Sequence, residues 1–78
     1  MAEREIVEQV RQAIRRLPRK RALTVVMRLI HEESFEAIAH ALDCSEITVR
    51  IHVSRGRAQL RKRLSHLYQS RRQEAGNE

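Results

Sequence analysis

The stretch SFEAIAHALDCSEITVRIHVSRGRAQLRKRL, from Ser34 to Leu64, decides the fold of this chain. Its first part repeats apolar residues at the i, i+3, i+4 and i+7 spacing of a buried helical face. These residues are Phe35, Ile38, Ala39 and Leu42. Asp43 and Cys44 then form a turn, and Ser45 caps a second, longer helix. The sequence therefore predicts a helix-turn-helix.

The longer helix has two different sides when it is drawn at about 100° per residue. Its predicted buried stripe consists of Val49, Val53, Gly56, Leu60, Leu64 and Leu67. The opposite side carries Ile47, Thr48, Ile51, Ser54 and Arg55, with Arg50, Arg57 and Arg61 along one flank. From Ile47 to Arg72 the chain has eight Lys or Arg and no Asp or Glu. We therefore expect an anionic partner, with DNA as the first candidate.

Two further helices are predicted upstream, and Pro18 marks the boundary between them. The first covers about residues 2–16, and the second runs from Arg19 to His31 with an apolar stripe. That stripe is Leu23, Val26, Met27 and Ile30. The basic residues clustered at this junction have two interpretations: they are exposed to solvent, or they contact phosphates beside the main DNA surface. The fold class is thus all-α, a four-helix domain over residues 1–68, followed by a polar tail, residues 69–78, predicted to be disordered.

Composition narrows the function classes. The chain has 78 residues, a formal net charge of +6, one Cys, one Phe and no Trp. It has no run of about 18 apolar residues, and its acidic start is unlike a signal peptide. The scarcity of aromatic residues disfavours a membrane-surface helix and a base-stacking single-strand binder. We expect a soluble cytoplasmic protein that binds a nucleic acid.

Five segments follow one another along the chain: Leu17-Pro18, Val25-Val26-Met27-Arg28, Ser34-Phe35-Glu36-Ala37-Ile38-Ala39, Ser45-Glu46-Ile47-Thr48-Val49-Arg50 and Ser54-Arg55-Gly56-Arg57-Ala58. In this order and spacing they resemble region four of bacterial RNA polymerase sigma factors, of the short extracytoplasmic-function type. The resemblance implies a domain whose last helix enters the major groove of the promoter minus-35 element. It also implies that the other helices face RNA polymerase.

Carried over by position, the resemblance places five residues at DNA bases: Thr48, Arg50, Ile51, His52 and Arg55. It places Ser54 and Arg57 near phosphates, and Arg61 is a further phosphate contact expected from its charge. The forked guanidinium groups of Arg50 and Arg55 suit the O6 and N7 atoms of guanine. His52 would become a pH-dependent phosphate contact when it is protonated.

The sequence departs from the family at the turn and on the outward face. Asp43 and Cys44 replace a glycine and an aliphatic residue, although Asp tolerates a left-handed backbone. Ile51 replaces a small polar residue, and Ile47 lies one turn before it. Two interpretations stay open for the isoleucines: they contact thymine methyl groups, or they are buried against a protein such as an anti-sigma factor.

The sequence does not predict an enzyme, a cofactor or a metal site. His40 and Cys44 are spaced i, i+4, but two ligands are too few for a metal site. The acidic residues lie without a nucleophile, base or phosphate loop beside them. Two alternatives to a DNA-reading sigma domain remain: a protein-interaction module with generic DNA affinity, and a dimeric helix-turn-helix regulator. We expect a monomer, either an excised domain of a longer sigma factor or a free-standing relative.

Overall fold

Four α-helices and one π-helical segment make up residues 2–67, the part of the chain that the computed structural model describes. In chain order they are α1 (Glu3–Arg15), α2 (Arg19–Val25), the π-helical segment (Val26–Ile30), α3 (Phe35–Leu42) and α4 (Glu46–Arg63). No strand occurs in this range, so the predicted all-α class is confirmed. The tail predicted for residues 69–78 lies outside the described residues.

Helices α3 and α4 form the predicted helix-turn-helix, and each begins at the predicted serine cap. The Ser34 hydroxyl accepts a hydrogen bond from the Ala37 N–H at 3.0 Å, and Ser45 accepts one from the Thr48 N–H at 3.1 Å. Between the helices, Asp43 adopts a left-handed conformation with φ 53° and ψ 53°. The turn thus keeps the geometry that glycine favours without having a glycine.

The core lies between these two helices, and the π-helical segment that precedes them packs against it. Its buried members are Ile38, Ala39, Val49 and Val53, against which Met27, Phe35, Leu42 and Cys44 pack. Helix α4 also contacts α1 and α2, so it is the element on which the other three helices pack. This packing fixes which side of α4 faces outward.

The predicted second helix has the expected extent, because residues from Arg19 to Ile30 are helical, but it differs from the prediction in two respects. It is α-helical only to Val25, after which the His31 N–H bonds to the Val26 carbonyl in a π-type turn. Its predicted apolar stripe is also displaced, because Leu23 and Ile30 are 44% and 59% exposed. In a regular α-helix, two residues that are two positions apart point in nearly opposite directions, about 200° around the axis. Val25 and Met27 nevertheless both pack inward here.

The buried face of α2 consists of Thr24 and Val25. Thr24 tolerates burial because its hydroxyl donates to the Lys20 carbonyl at 2.8 Å. Val25 fits because it lies against Gly56 of α4, where an added Cβ would overlap the Val25 Cγ2 atom. The close approach of α2 and α4 therefore depends on the missing side chain at Gly56.

Candidate nucleic-acid interface

The outward face of α4 lies opposite its buried residues Val49, Val53 and Gly56. At about 100° per residue, Ile51 lies near the centre of this face. The other exposed members are Ile47, Arg55, Ser54 and Ala58, of which the last two also line one flank of the helix. Ile47 is 71% exposed and Ile51 is 43% exposed. A partner that covers this face would therefore meet two branched apolar side chains and one guanidinium group before it meets any buried residue.

One flank of α4 forms a basic groove against the start of α3. The groove is lined by Phe35, Arg50, Val53, Ser54, Arg57, Ala58 and Arg61. Three of these residues are arginines, and residues 47–67 contain no Asp or Glu. The predicted phosphate-contacting residues Ser54, Arg57 and Arg61 thus line one surface. A phosphate backbone is the kind of ligand that such a row of cations attracts.

Arg50 lies in this groove and not at the centre of the outward face. Its guanidinium carbon is 4.3 Å from the centroid of the Phe35 ring, and the guanidinium carbon of Arg28 is at the same distance from that ring. Arg28 also donates to the Glu33 carbonyl at 2.9 Å, which fixes the link before α3. The ring therefore orients Arg50 through a cation–π contact.

His52 lies on the other flank of α4, where it faces α2. Its Nδ1 atom is 3.5 Å from the Arg21 Nε–H, and a second Arg21 nitrogen donates to the Gln59 side-chain oxygen at 2.6 Å. Nδ1 accepts this bond only while it carries no proton. Burial of the imidazole, together with the nearby charges of Arg21, Lys20 and Arg55, lowers the pKa of His52. The structure thus favours neutral His52.

Thr48 occupies the first turn of α4, where its side chain takes part in the helix cap. Its hydroxyl lies 2.9 Å from the Ser45 hydroxyl, and its N–H donates to the same oxygen at 3.1 Å. Thr48 is half-buried, unlike the isoleucine before it. A DNA contact by Thr48 would therefore share a hydroxyl group that already serves the helix start.

The eight residues predicted to contact DNA all lie on α4, but the structure distributes them over three surfaces. Ile51 and Arg55 are on the outward face, Arg50, Ser54, Arg57 and Arg61 line the basic groove, and Thr48 and His52 lie towards the cap and α2. Sequence reasoning missed Phe35, Arg28 and Arg21 as partners of these residues. The only signal for Phe35 was that it is the one Phe in a chain rich in arginine.

Among residues 2–67, no three His, Cys, Asp or Glu side chains are close enough together to hold a metal ion. None of the described helices is long and apolar enough to cross a membrane.

Comparisons with known proteins agree with the geometry of the helix-turn-helix. The family described as sigma-70, region 4 matches residues 7–60, which is more than half of the chain and includes α2, α3 and most of α4. Searches of curated proteins and of solved structures gave no match. The chain therefore belongs to the sigma-70 region 4 family, a DNA-binding family that acts with RNA polymerase in transcription initiation and is not a catalytic one.

Proposed function

We propose that this protein recognises the minus-35 element of promoters, as region four of an extracytoplasmic-function-type sigma factor. In this proposal α4 enters the major groove of double-stranded DNA while the domain is docked on RNA polymerase. The observation that carries it is the outward face of α4, which is exposed, free of acidic residues after Glu46 and bordered by a row of arginines. A helix with these properties fits the width and charge of the major groove.

The geometry favours different roles for the arginines of α4, some at phosphates and one at a base. Arg50, Arg57 and Arg61 border one groove, so we assign them to one phosphate backbone. Arg55 stands on the outward face, where its guanidinium group can bind guanine O6 and N7. This moves Arg50 from the base-reading set, where its position in the sequence had placed it, to the phosphate set. Ser54 stays in the phosphate set.

The assignment to RNA polymerase is supported by apolar surface away from α4. Ile6, Val7, Leu23, Leu29 and Ile30 are exposed on α1, α2 and the π-helical segment. Exposed apolar residues of this size are typical of surfaces that meet another protein. Docking also raises the effective concentration of the domain at its site, so that a small number of DNA contacts suffices.

We propose that the protein is a monomer and that it acts in the cytoplasm.

A second function is favoured by Ile47 and Ile51. Two exposed isoleucines one helical turn apart are also suited to a protein partner, such as an anti-sigma factor. In that case α4 would bind DNA only through its charge, without preference for a sequence. The two functions differ in one measurable property, which is whether the protein distinguishes one duplex from another.

The deciding experiment is a selection of random DNA duplexes by the full chain at low and moderate salt. The selected pool is then compared with the starting pool by fluorescence anisotropy. The proposal predicts a motif of a few base pairs that is bound at least about tenfold more tightly than random DNA, equivalent to about 1.4 kcal/mol. Purely salt-dependent binding with no enriched motif would contradict it and favour the protein-facing function.

Two variants that lose the same charge make the test specific. Arg55→Gln removes the guanidinium group from the outward face, whereas Arg4→Gln removes one from the exposed start of α1. The proposal predicts that Arg55→Gln loses the preference at one base pair and that Arg4→Gln selects the same motif as the unchanged protein. Equal behaviour of the two variants would show that α4 binds DNA by charge alone.

A further inference from the structure

The centre of the outward face of α4 is apolar, which phosphate binding does not require. Ile47 and Ile51 are one helical turn apart on this face, and both are large and exposed. Their methyl groups stand among exposed polar and charged neighbours, and no other helix of the described chain covers them. Exposed isoleucines at the centre of a ligand-binding face need a ligand with apolar groups at matching positions.

Two of the residues that flank this centre have a partner within the domain. Arg50 is held against the Phe35 ring on one flank, and His52 accepts a hydrogen bond from Arg21 on the other. Arg55, by contrast, is exposed on the outward face itself, beside the isoleucines. Reading of base edges would therefore fall to Ile47, Ile51 and Arg55.

We propose that Ile47 and Ile51 bind the 5-methyl groups of two nearby thymines in the major groove, next to a guanine bound by Arg55. This inference rests on the proposed function. The thymine methyl is the one apolar group that an unmodified base pair presents in the major groove. Residues four apart rise by about 6 Å along the helix, and successive bases are about 3.4 Å apart. The two thymines thus lie within about two base pairs of each other.

The charges around the isoleucines favour DNA over a protein as their ligand. On one side of them lie Arg57 and Arg61 in the basic groove. On the other side lie Lys20 and Arg21, close enough to His52 to act on its pKa. Two rows of cations with an apolar strip between them match a major groove, in which base edges lie between two phosphate backbones.

The test compares the selected duplex with the same duplex in which deoxyuridine replaces thymidine, one position at a time. This replacement removes the methyl group and keeps the base pairing. We expect two positions at which it weakens binding of the full chain about fourfold, which corresponds to about 0.8 kcal/mol. Ile51→Ser should abolish the difference at one of these positions, and Ile47→Ser should abolish it at the other.

The control is Ala41→Ser, which makes the same kind of change at an exposed apolar residue of α3, outside the residues assigned to DNA or to RNA polymerase. It should keep both methyl effects unchanged, and circular dichroism should show the same helical content for all three variants. An enriched motif that is bound equally with thymidine and deoxyuridine would overturn the inference and leave the proposed function standing. No enriched motif would overturn both, and the isoleucines would then belong to a protein-binding surface.

Discussion

The Arg50 guanidinium carbon lies 4.3 Å from the centroid of the Phe35 ring, so the first turn of α3 orients a side chain of α4. Phe35 also packs against the core between the two helices. One residue therefore links the packing of the helix-turn-helix to the position of an arginine in the basic groove. The same ring is in contact with Arg28, whose other contact is the Glu33 carbonyl before α3.

The first prediction concerns this pair. Phe35→Leu keeps an apolar side chain in the core but removes the cation–π contact with Arg50. We expect DNA affinity to fall about two- to fivefold, since such contacts contribute about 0.5–1 kcal/mol at exposed sites. In the Arg50→Gln background the same change should have no further effect on affinity. Equal losses in both backgrounds, measured by anisotropy, would mean that Phe35 acts independently of Arg50.

The second prediction separates base reading from phosphate binding. Arg61→Gln should weaken binding to all duplexes alike and reduce the slope of log affinity against log salt by about 1. Arg55→Gln should instead cost about 1–3 kcal/mol at one base pair of the selected motif and relax the preference there. Salt titrations with the selected duplex and with single-base variants of it measure both effects. Sequence-independent weakening by Arg55→Gln would contradict its assignment to a base.

Local features of the sequence predicted much of the fold. Ser34 and Ser45 were identified as helix caps because capping depends on residues three positions apart. The left-handed turn at Asp43 was also expected, since few residues other than glycine tolerate it as well. Val49, Val53 and Gly56 were placed on the buried face of α4 by their periodicity alone.

The features that sequence reasoning missed depend on contacts between distant segments. The burial of Val25 goes with the close approach of α2 to α4, which periodicity within α2 does not encode. The contacts of Arg21 with His52 and Gln59 span more than thirty residues. Long, flexible side chains have many rotamers, so their partners are decided by packing and not by spacing.

The third prediction tests the close approach of α2 and α4. Gly56→Ala adds a Cβ that overlaps the buried Val25 side chain. Overpacking of this kind costs about 1–3 kcal/mol, while the better helix propensity of Ala returns about 1 kcal/mol. We therefore expect the free energy of unfolding in urea to fall by about 1 kcal/mol. Ala58→Gly, on the exposed face, measures the propensity effect by itself.

A double-mutant cycle completes that test. Val25→Ala removes the methyl group that the new Cβ would meet, so Gly56→Ala should be harmless or stabilising in that background. A coupling free energy of about 1 kcal/mol or more between the two sites is the expected result. Additive effects would show that the helices separate without strain and that the missing side chain at Gly56 is not needed.

The fourth prediction concerns the pH dependence of stability. The folded protein lowers the pKa of His52 through burial and the charges of Arg21, Lys20 and Arg55. The unfolded chain, with an ordinary pKa of about 6.5, therefore binds a proton at a higher pH than the folded protein does. As far as His52 is concerned, the free energy of unfolding is therefore at its full value above the ordinary pKa. It decreases as the pH falls through the lowered pKa of the folded protein.

Urea unfolding of the unchanged protein and of His52→Gln at several pH values between about 7.5 and 5.5 measures this effect, because that range spans the histidine titration. Glutamine keeps an acceptor for the Arg21 N–H but does not titrate. The unchanged protein should lose more of its free energy of unfolding than the variant as the pH falls. Parallel losses in the two proteins would show that His52 is not the group responsible.

DNA affinity should rise as the pH falls if protonated His52 leaves Arg21 for a phosphate, since a phosphate stabilises the charged imidazole. A DNA affinity that rises at low pH in the unchanged protein but not in His52→Gln would place His52 at the DNA backbone, whereas an affinity independent of pH would leave it as a partner of α2 alone.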